Sequence, residues 1–118
     1  MNNGSLTISR SQFSDNSAFQ GGVLNALQEC SVRICDSFFD HNVAGSEEVP
    51  QKAAGGVVST GQSCKLNIIG SVFNNNKANI GGVLMISSEV ELTIFNSTFN
   101  RNQAIQGGVV STYHCNLL

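Results

Sequence analysis

Short alternating pairs of apolar residues recur along the chain. The pairs are Leu6 and Ile8, Val32 and Ile34, Leu66 and Ile68, and Leu92 and Ile94. Alternation of apolar and polar residues with period two predicts a short β-strand with one buried face. No ten-residue stretch shows the i, i+3, i+4, i+7 apolar stripe that a helix needs. The pattern therefore predicts an all-β chain.

Each apolar pair opens a repeat unit that carries the same residues at the same distances. These residues are Ser11, Ser37, Ser71 and Ser97; Phe13, Phe39, Phe73 and Phe99; Asn16, Asn42, Asn76 and Asn102; Ala18, Ala44, Ala78 and Ala104; and the glycine pairs Gly21 and Gly22, Gly55 and Gly56, Gly81 and Gly82, and Gly107 and Gly108. Neighbouring phenylalanines are 26 residues apart, except that eight extra residues lie between Ala44 and Gly55. A fixed period of this length is typical of stacked repeats.

A unit of 26 residues with three short strands favours a parallel β-helix, in which successive coils pair at ~4.8 Å. Leucine-rich repeats need a Leu-x-x-Leu-x-Leu motif and a helical segment, which this sequence lacks, and propeller blades and helical pairs are about 33 residues or longer. We predict a single domain over residues 1–118, with about four and a half coils starting near residues 6, 32, 66 and 92, cut from a longer array.

In-register stacking would place equivalent residues in columns. Columns of Leu, Ile and Phe would fill the interior, where each fully buried side chain contributes ~1.5–3 kcal/mol. We expect the asparagines to form an amide ladder, the serines to bond the backbone inside a corner, and the glycine pairs to allow a close approach between coils. Two apolar columns, which begin at Val23 and Leu24, follow the glycine pairs. Strict alternation of inward and outward side chains would expose one of these two columns, whereas a bulge in the strand would shield it from solvent. The sequence does not decide between these two alternatives.

The paired F-x-x-N and G-G-x motifs resemble the repeat of the polymorphic outer-membrane proteins of chlamydiae. The resemblance covers essentially the whole chain, with four copies of each motif. It implies an all-β, right-handed parallel β-helix (β-solenoid) that is displayed on a cell surface and used in adhesion. It therefore also implies a location at the cell surface or outside the cell.

Composition argues against several classes of partner. The net charge is −2, and charged residues make up 12% of the chain against about a quarter in typical globular proteins. No basic run exists, so nucleic-acid binding by simple electrostatics is not expected. No window approaches 18 apolar residues, so no membrane-spanning segment is expected. Residues 1–5 lack the features of a signal peptide.

The cysteines are predicted to be unpaired thiols. Three of them share a column whose remaining member is Val90, namely Cys30, Cys64 and Cys115. A valine in that column indicates a position for a small hydrophobic side chain, which a buried thiol suits. A bridge between Cys30 and Cys64 stays geometrically possible. Cys35 has no partner at its own level except Cys30, across a corner. No C-x-x-C motif occurs, and His41 and His114 lie in different columns, so neither a metal site nor a cofactor is predicted.

Carboxylates and a histidine come together at one predicted corner, where Asp15 should lie beneath His41 and beside Asp40. The same columns continue with Asn75 and Arg101, which favours a solvated turn over a catalytic site. We therefore predict no catalytic residue. The eight-residue insertion, with the only proline of the chain, is the best candidate for a specific partner contact through Glu47, Glu48, Pro50 and Lys52. Its alternative interpretation is a tolerated surface loop.

The pattern most favours a non-enzymatic stalk or scaffold within a larger surface or secreted protein. Its expected partners are neighbouring coils or domains of that protein, and a host-cell protein or glycan. One alternative is a β-helix that binds or processes carbohydrate, for which an acidic groove would be the signal. Another is a repeat scaffold inside a large intracellular assembly, which unpaired thiols favour.

Overall fold

The computed structural model describes residues 2–45, 54–87 and 89–112, and within these ranges it contains strands and no helix. In chain order the strands are β1 Ser5–Ser9, β2 Gln12–Ser14, β3 Ser17–Ala18, β4 Leu24–Gln28, β5 Ser31–Cys35, β6 Phe38–Asp40, β7 Val43–Ala44, β8 Val58–Gln62, β9 Lys65–Ile69, β10 Val72–Asn74, β11 Lys77–Ala78, β12 Leu84–Ile86, β13 Glu91–Phe95, β14 Thr98–Asn100 and β15 Val110–Thr112. The prediction of an all-β chain is confirmed.

The strands form four sheets, and every pairing between them is parallel. Sheet 1 has the order β1-β5-β9-β13, sheet 2 β2-β6-β10-β14, sheet 3 β3-β7-β11, and sheet 4 β4-β8-β12-β15. Equivalent residues of successive units are partners, so that Leu6 faces Val32 and Val32 faces Leu66. The chain visits all four sheets before it returns to the first. This arrangement of parallel sheets is compatible with a β-solenoid.

Residues with a left-handed backbone conformation separate the strands. They form four columns with φ between 47° and 69°: Asn3, Glu29, Ser63 and Glu89; Arg10, Asp36, Gly70 and Asn96; Asp15, His41, Asn75 and Arg101; and Gly21, Gly55, Gly81 and Gly107. The third column corrects the expected three strands per unit. Because its residues bend the backbone inside the Phe-x-x-Asn-x-Ala segment, that segment forms two strands, and each of the first three units has four.

The repeated phenylalanines lie in a single file between the sheets. Successive ring centroids are 5.2, 4.7 and 4.8 Å apart, and neighbouring ring planes are inclined by no more than 5°. Phe39 and Phe73 are fully buried, whereas Phe13 and Phe99, in the first and last units, are half-buried. Each central ring therefore packs against an identical ring on both faces.

Both apolar columns that follow the glycine pairs are buried. In the two central units Val57, Val58, Val83 and Leu84 have no exposed surface. The backbone explains this departure from strict alternation, since the N–H groups of Val23 and Leu24 both donate to the carbonyl oxygen of Val57 at 3.0 Å. Two residues of one unit thus oppose one residue of the next, as in a β-bulge. The bend turns both side chains inward, so no valine ladder is exposed on this face of the central units.

Candidate functional site

The repeated asparagines form a ladder at the corner between sheets 2 and 3. The Nδ2 group of Asn42 donates to the Oδ1 of Asn76 and to the carbonyl of Phe13, both at 3.0 Å. Its Oδ1 accepts the backbone N–H and the Nδ2–H of Asn16 at 3.1 and 2.9 Å. Asn76 makes the same four bonds to its own neighbours, including Asn102. The amides of Asn42 and Asn76 are fully buried and saturated, so they hold adjacent units together and have no donor or acceptor left for a ligand.

The repeated serines form a second ladder of hydrogen bonds, at the corner between sheets 1 and 2. The hydroxyl of Ser37 donates to the carbonyl of Cys35 at 2.8 Å and accepts the backbone N–H of Ser11 at 3.2 Å. Ser71 repeats the pattern, with bonds of 3.1 Å to the carbonyl of Ile69 and 3.2 Å from the N–H of Ser37. Each serine therefore satisfies backbone groups that would otherwise lie unpaired in a buried bend.

Two cysteines form a third ladder of this kind at the corner between sheets 4 and 1. The sulfur of Cys64 accepts the backbone N–H of Cys30 at 3.4 Å and donates to the carbonyl of Gln62 at 3.5 Å. Burial, the largest influence, raises the pKa of the Cys64 thiol and so favours its neutral form. No disulfide bond joins Cys30, Cys35 and Cys64 to one another. Cysteine here takes the place that serine has one corner further along.

Sequence reasoning missed this hydrogen-bonding role of the cysteines, although a signal for it exists. Each ladder residue immediately follows a residue with positive φ, as Cys30 follows Glu29 and Ser37 follows Asp36. The signal is a turn-forming residue followed by Ser, Asn or Cys, repeated once per unit. It marks a corner at which the side chain of that Ser, Asn or Cys accepts a backbone N–H from the previous unit.

The glycine pairs form the remaining corner, between sheets 3 and 4. Gly55 has φ of 69°, and a Cβ there would overlap the carbonyl of Val58. The second glycine has a different restriction, because a Cβ on Gly56 would overlap the carbonyl oxygen of Gly82 one unit further on. The first glycine is thus needed for the turn, and the second for the close stacking of units.

Asp40, His41 and Asn75 form a hydrogen-bonded cluster on the corner between sheets 2 and 3. The Nδ1 of His41 lies 2.7 Å from the Oδ2 of Asp40, and Asn75 donates to its Oδ1 at 3.0 Å. The hydrogen bond from Asn75, followed by that from His41, holds the pKa of Asp40 below its usual value. Asp15 adjoins the cluster through its backbone N–H, which donates to the carbonyl of Asp40 at 3.1 Å. The side chain of His41 is 59% exposed, so the geometry is that of a solvated turn.

Among the depressions lined by described residues, two can be compared with the predicted functions. One, of about 260 Å³, lies on the outer face of sheet 4 and is lined only by neutral side chains, among them Gln20, Asn25, Leu27, Ser59, Ile80 and Met85. We call it the sheet 4 trough. The other, of about 440 Å³, lies between sheets 4 and 1, and its lining includes one acidic and one basic residue, Glu29 and Lys65. Neither is an acidic groove of the kind that a polysaccharide-cleaving β-helix would need.

Some residues singled out in the sequence fall outside the described ranges. They are the candidate contact residues Glu47, Glu48, Pro50 and Lys52, together with His114 and Cys115. Among the residues that are described, no group of three or more His, Cys, Asp or Glu side chains is placed to hold a metal ion. Over those same ranges no helix has the length and apolar character to cross a membrane. Comparisons of the chain with protein-family models, curated proteins and solved structures found no match.

Proposed function

We propose that the chain is a non-enzymatic structural repeat, a rigid stalk or scaffold within a larger surface or secreted protein, and that it contributes to adhesion or partner binding. The observation that carries the proposal is the asparagine ladder. The side-chain amides of Asn42 and Asn76 form all of their hydrogen bonds with groups of neighbouring units. A polar residue that is repeated in all four units therefore serves cohesion between units, which is what a rigid spacer requires.

The architecture that we propose for this stalk is a closed, right-handed parallel β-helix with about four and a half coils of 26 residues. Parallel sheets with partners one repeat apart support it. The single file of phenylalanine rings supports it as well, because such a file needs the coils to lie directly above one another. We propose a right-handed helix because connections between parallel strands are nearly always right-handed.

Surface location and adhesion are proposed from the F-x-x-N and G-G-x motifs, which resemble the chlamydial polymorphic outer-membrane protein repeat. Antibodies raised against residues 1–118 test the location on intact cells that make the protein. We expect labelling without permeabilisation. Labelling that appears only after permeabilisation would contradict a surface role. It would favour the intracellular scaffold, which is supported by the absence of a disulfide bond among Cys30, Cys35 and Cys64.

Adhesion itself is tested with beads coated with the folded chain and, as a control, with the heat-denatured chain. We expect only the folded chain to retain beads on host cells, because the outer side chains are presented by the stacked sheets. Equal retention by both bead types would indicate nonspecific adsorption and contradict the proposal.

A second candidate is carbohydrate binding in the sheet 4 trough. The trough presents neutral amide and hydroxyl groups beside aliphatic side chains, a combination that suits sugar hydroxyls and ring faces. Incubation with a panel of polysaccharides and oligosaccharides tests it, with Met85→Trp as a variant that fills the trough. Saturable binding that this variant abolishes, or turnover of any sugar, would place carbohydrate recognition ahead of the stalk function.

A further inference from the structure

Cys30 and Cys64 occupy the same position in the first two units, at the corner between sheets 4 and 1. They are 34 residues apart in the chain. The residues that flank them are partners in the parallel sheets, Gln28 with Gln62 and Ser31 with Lys65. Paired parallel strands are ~4.8 Å apart, so the Cα atoms of the two cysteines are expected within the range of about 4.4–6.8 Å that a disulfide bond needs.

The two side chains also face the same way. Both are buried, with exposed fractions of 2% for Cys30 and 1% for Cys64. The Sγ of Cys64 lies 3.4 Å from the backbone nitrogen of Cys30 and 3.9 Å from the carbonyl oxygen of Ala26, both in the preceding unit. The Sγ of Cys30 lies 3.1 Å from the carbonyl oxygen of Gln28. The sulfur of Cys64 thus already reaches into the first unit, and rotation of the Cys30 side chain about its Cα–Cβ bond is the movement that a bond would still need.

Cys35 is not placed to take part. Strand β5 lies between it and Cys30, and five residues of extended backbone span ~16 Å. This corrects the expectation that the two cysteines lie at one level across a corner. The partners of Cys35 in the neighbouring units are Ser9 and Ile69. Among the cysteines that the structure describes, Cys30 and Cys64 are therefore the pair that can bond.

A bond between these two cysteines would span the place where the repeat is longest. The eight extra residues lie between Ala44 and Gly55 and therefore between Cys30 and Cys64. A disulfide bond removes loop-closure entropy from the unfolded chain, and in this account it removes more when the closed loop is longer. The next member of the column is Val90, so no equivalent bond can join the second unit to the third. The cross-link would therefore stabilise the pairing of units that has the longer loop to close.

We propose that Cys30 and Cys64 form a disulfide bond under oxidising conditions and so join the first two units covalently, with a small-molecule disulfide such as oxidised glutathione as the oxidant. The thiolate of one cysteine attacks a sulfur of the oxidant, which forms a mixed disulfide and releases one glutathione thiolate. The thiolate of the other cysteine then attacks the protein sulfur of that mixed disulfide and releases the second glutathione thiolate. Two protein thiols are oxidised, one glutathione disulfide is reduced, and the two protons pass to the released glutathione. The bond is independent of the stalk function and of the protein's location, since it needs only the stacking of the two cysteines.

Burial of the two thiols should make the reaction slow in the folded protein. Burial raises the pKa of Cys64 and so lowers the fraction of reactive thiolate. A glutathione molecule can reach either sulfur only when the corner opens, because neither side chain has more than 2% of its surface exposed. Urea at concentrations below the unfolding transition favours such opening, so we expect it to accelerate formation of the bond.

The first test identifies the bond. The reduced 118-residue chain is equilibrated with mixtures of oxidised and reduced glutathione, alkylated, and digested without reduction, and its peptides are mapped by mass spectrometry. We expect a linked pair of peptides that contains Cys30 and Cys64, with Cys35 recovered outside that pair. The same experiment in urea that unfolds the chain measures how far the fold favours the bond. The equilibrium constant for oxidation should be about a hundredfold larger in the folded chain.

The second test measures thermal stability. Oxidation should raise the thermal midpoint of the wild type by roughly 10 °C. Cys30→Ser and Cys64→Ser should fold, because serine holds the equivalent position at the corner between sheets 1 and 2. The midpoints of these two variants should not respond to the glutathione mixture. Cys35→Ser is the matched control and should keep the full response of the wild type.

Three results would overturn the proposal. The first is that Cys30 and Cys64 remain thiols at equilibrium in the folded chain, in a mixture that oxidises the unfolded chain. The second is a bond from either of them to any other cysteine. The third is an oxidised wild type whose thermal midpoint does not exceed that of the reduced protein, because a bond that fits the stacked units should stabilise them.

Discussion

Replacement of Asn76 by alanine tests whether the amide ladder holds the stack together. The substitution removes four hydrogen bonds, two that the Oδ1 accepts from Asn42 and two that the Nδ2 donates to Phe39 and Asn102. Asn42 and Asn76 are fully buried, so water does not readily replace the lost partner. The N–H and one Nδ2–H of Asn42 and the carbonyl of Phe39 then lose these bonds inside the core.

An unsatisfied buried donor or acceptor costs about 1–3 kcal/mol. Three such groups give an expected loss of about 3–9 kcal/mol in the free energy of unfolding, a large part of the roughly 5–15 kcal/mol that stabilises a typical domain. Asn16→Ala is the matched control. It removes a single side-chain bond, from its Nδ2 to the Oδ1 of Asn42 at 2.9 Å, at a half-buried position. The expected loss for the control is about 0.5–1.5 kcal/mol.

Urea unfolding followed by far-ultraviolet circular dichroism measures both variants against the wild type. The urea concentration at the midpoint of unfolding should fall far more for Asn76→Ala than for Asn16→Ala. The slope of the free energy of unfolding against urea concentration should not change, provided that the folded and unfolded states keep their compactness. Equal losses for the two variants would refute the reasoning, because the ladder would then contribute no more in the interior than at its end.

Three further predictions concern residues outside the asparagine ladder. Gly56→Ala should lower the free energy of unfolding by more than 2 kcal/mol in the same assay, since its Cβ would overlap a carbonyl of the next unit, whereas Gly45→Ala should be nearly neutral. Because hydrogen bonds lower the pKa of Asp40 in the folded state, its carboxylate stabilises the fold above the ordinary value of 3.8, and this contribution is lost as the pH falls through the lower folded-state pKa. Asn75→Ala should raise that pKa in an NMR titration, and an unchanged value would contradict the assigned cause. Cys35, which is half-buried, should react with iodoacetamide before the two buried cysteines of the adjacent corner, as peptide mapping by mass spectrometry would show.

The repeat period was enough to predict which residues become partners. Once Phe13 and Phe39 are 26 residues apart with matching neighbours, parallel pairing places every equivalent residue in one column, and the observed registers follow that spacing. The eight extra residues did not disturb this prediction, because Phe39 and Phe73 are partners as well. Self-similarity of the sequence thus carries long-range information that a single strand pattern lacks.

Features of the corners were harder to predict, because period-two alternation fails where the backbone bends. The sequence pattern did not decide whether Val57 or Val58 faces outward, and the structure buries both by directing two N–H groups to one carbonyl. The outer columns carry little information of any kind. One of them reads Thr7, Arg33, Asn67 and Thr93, so it has no shared chemistry from which a ligand can be argued.

The residues on either side of the eight-residue insertion keep their pairing with the neighbouring units. The backbone N–H of Gly45 still donates to the carbonyl of Ala18 at 3.0 Å, and pairing resumes at Ala54, which bridges to Gln20 and Ile80 on either side. The pairing on both sides of the eight extra residues is therefore in register. Extra length at such a corner adds only a slowly growing loop-closure entropy, while the ladders above and below keep their partners. A change in the length or sequence of the insertion should therefore leave the stack intact, whereas a change at a ladder residue should weaken it.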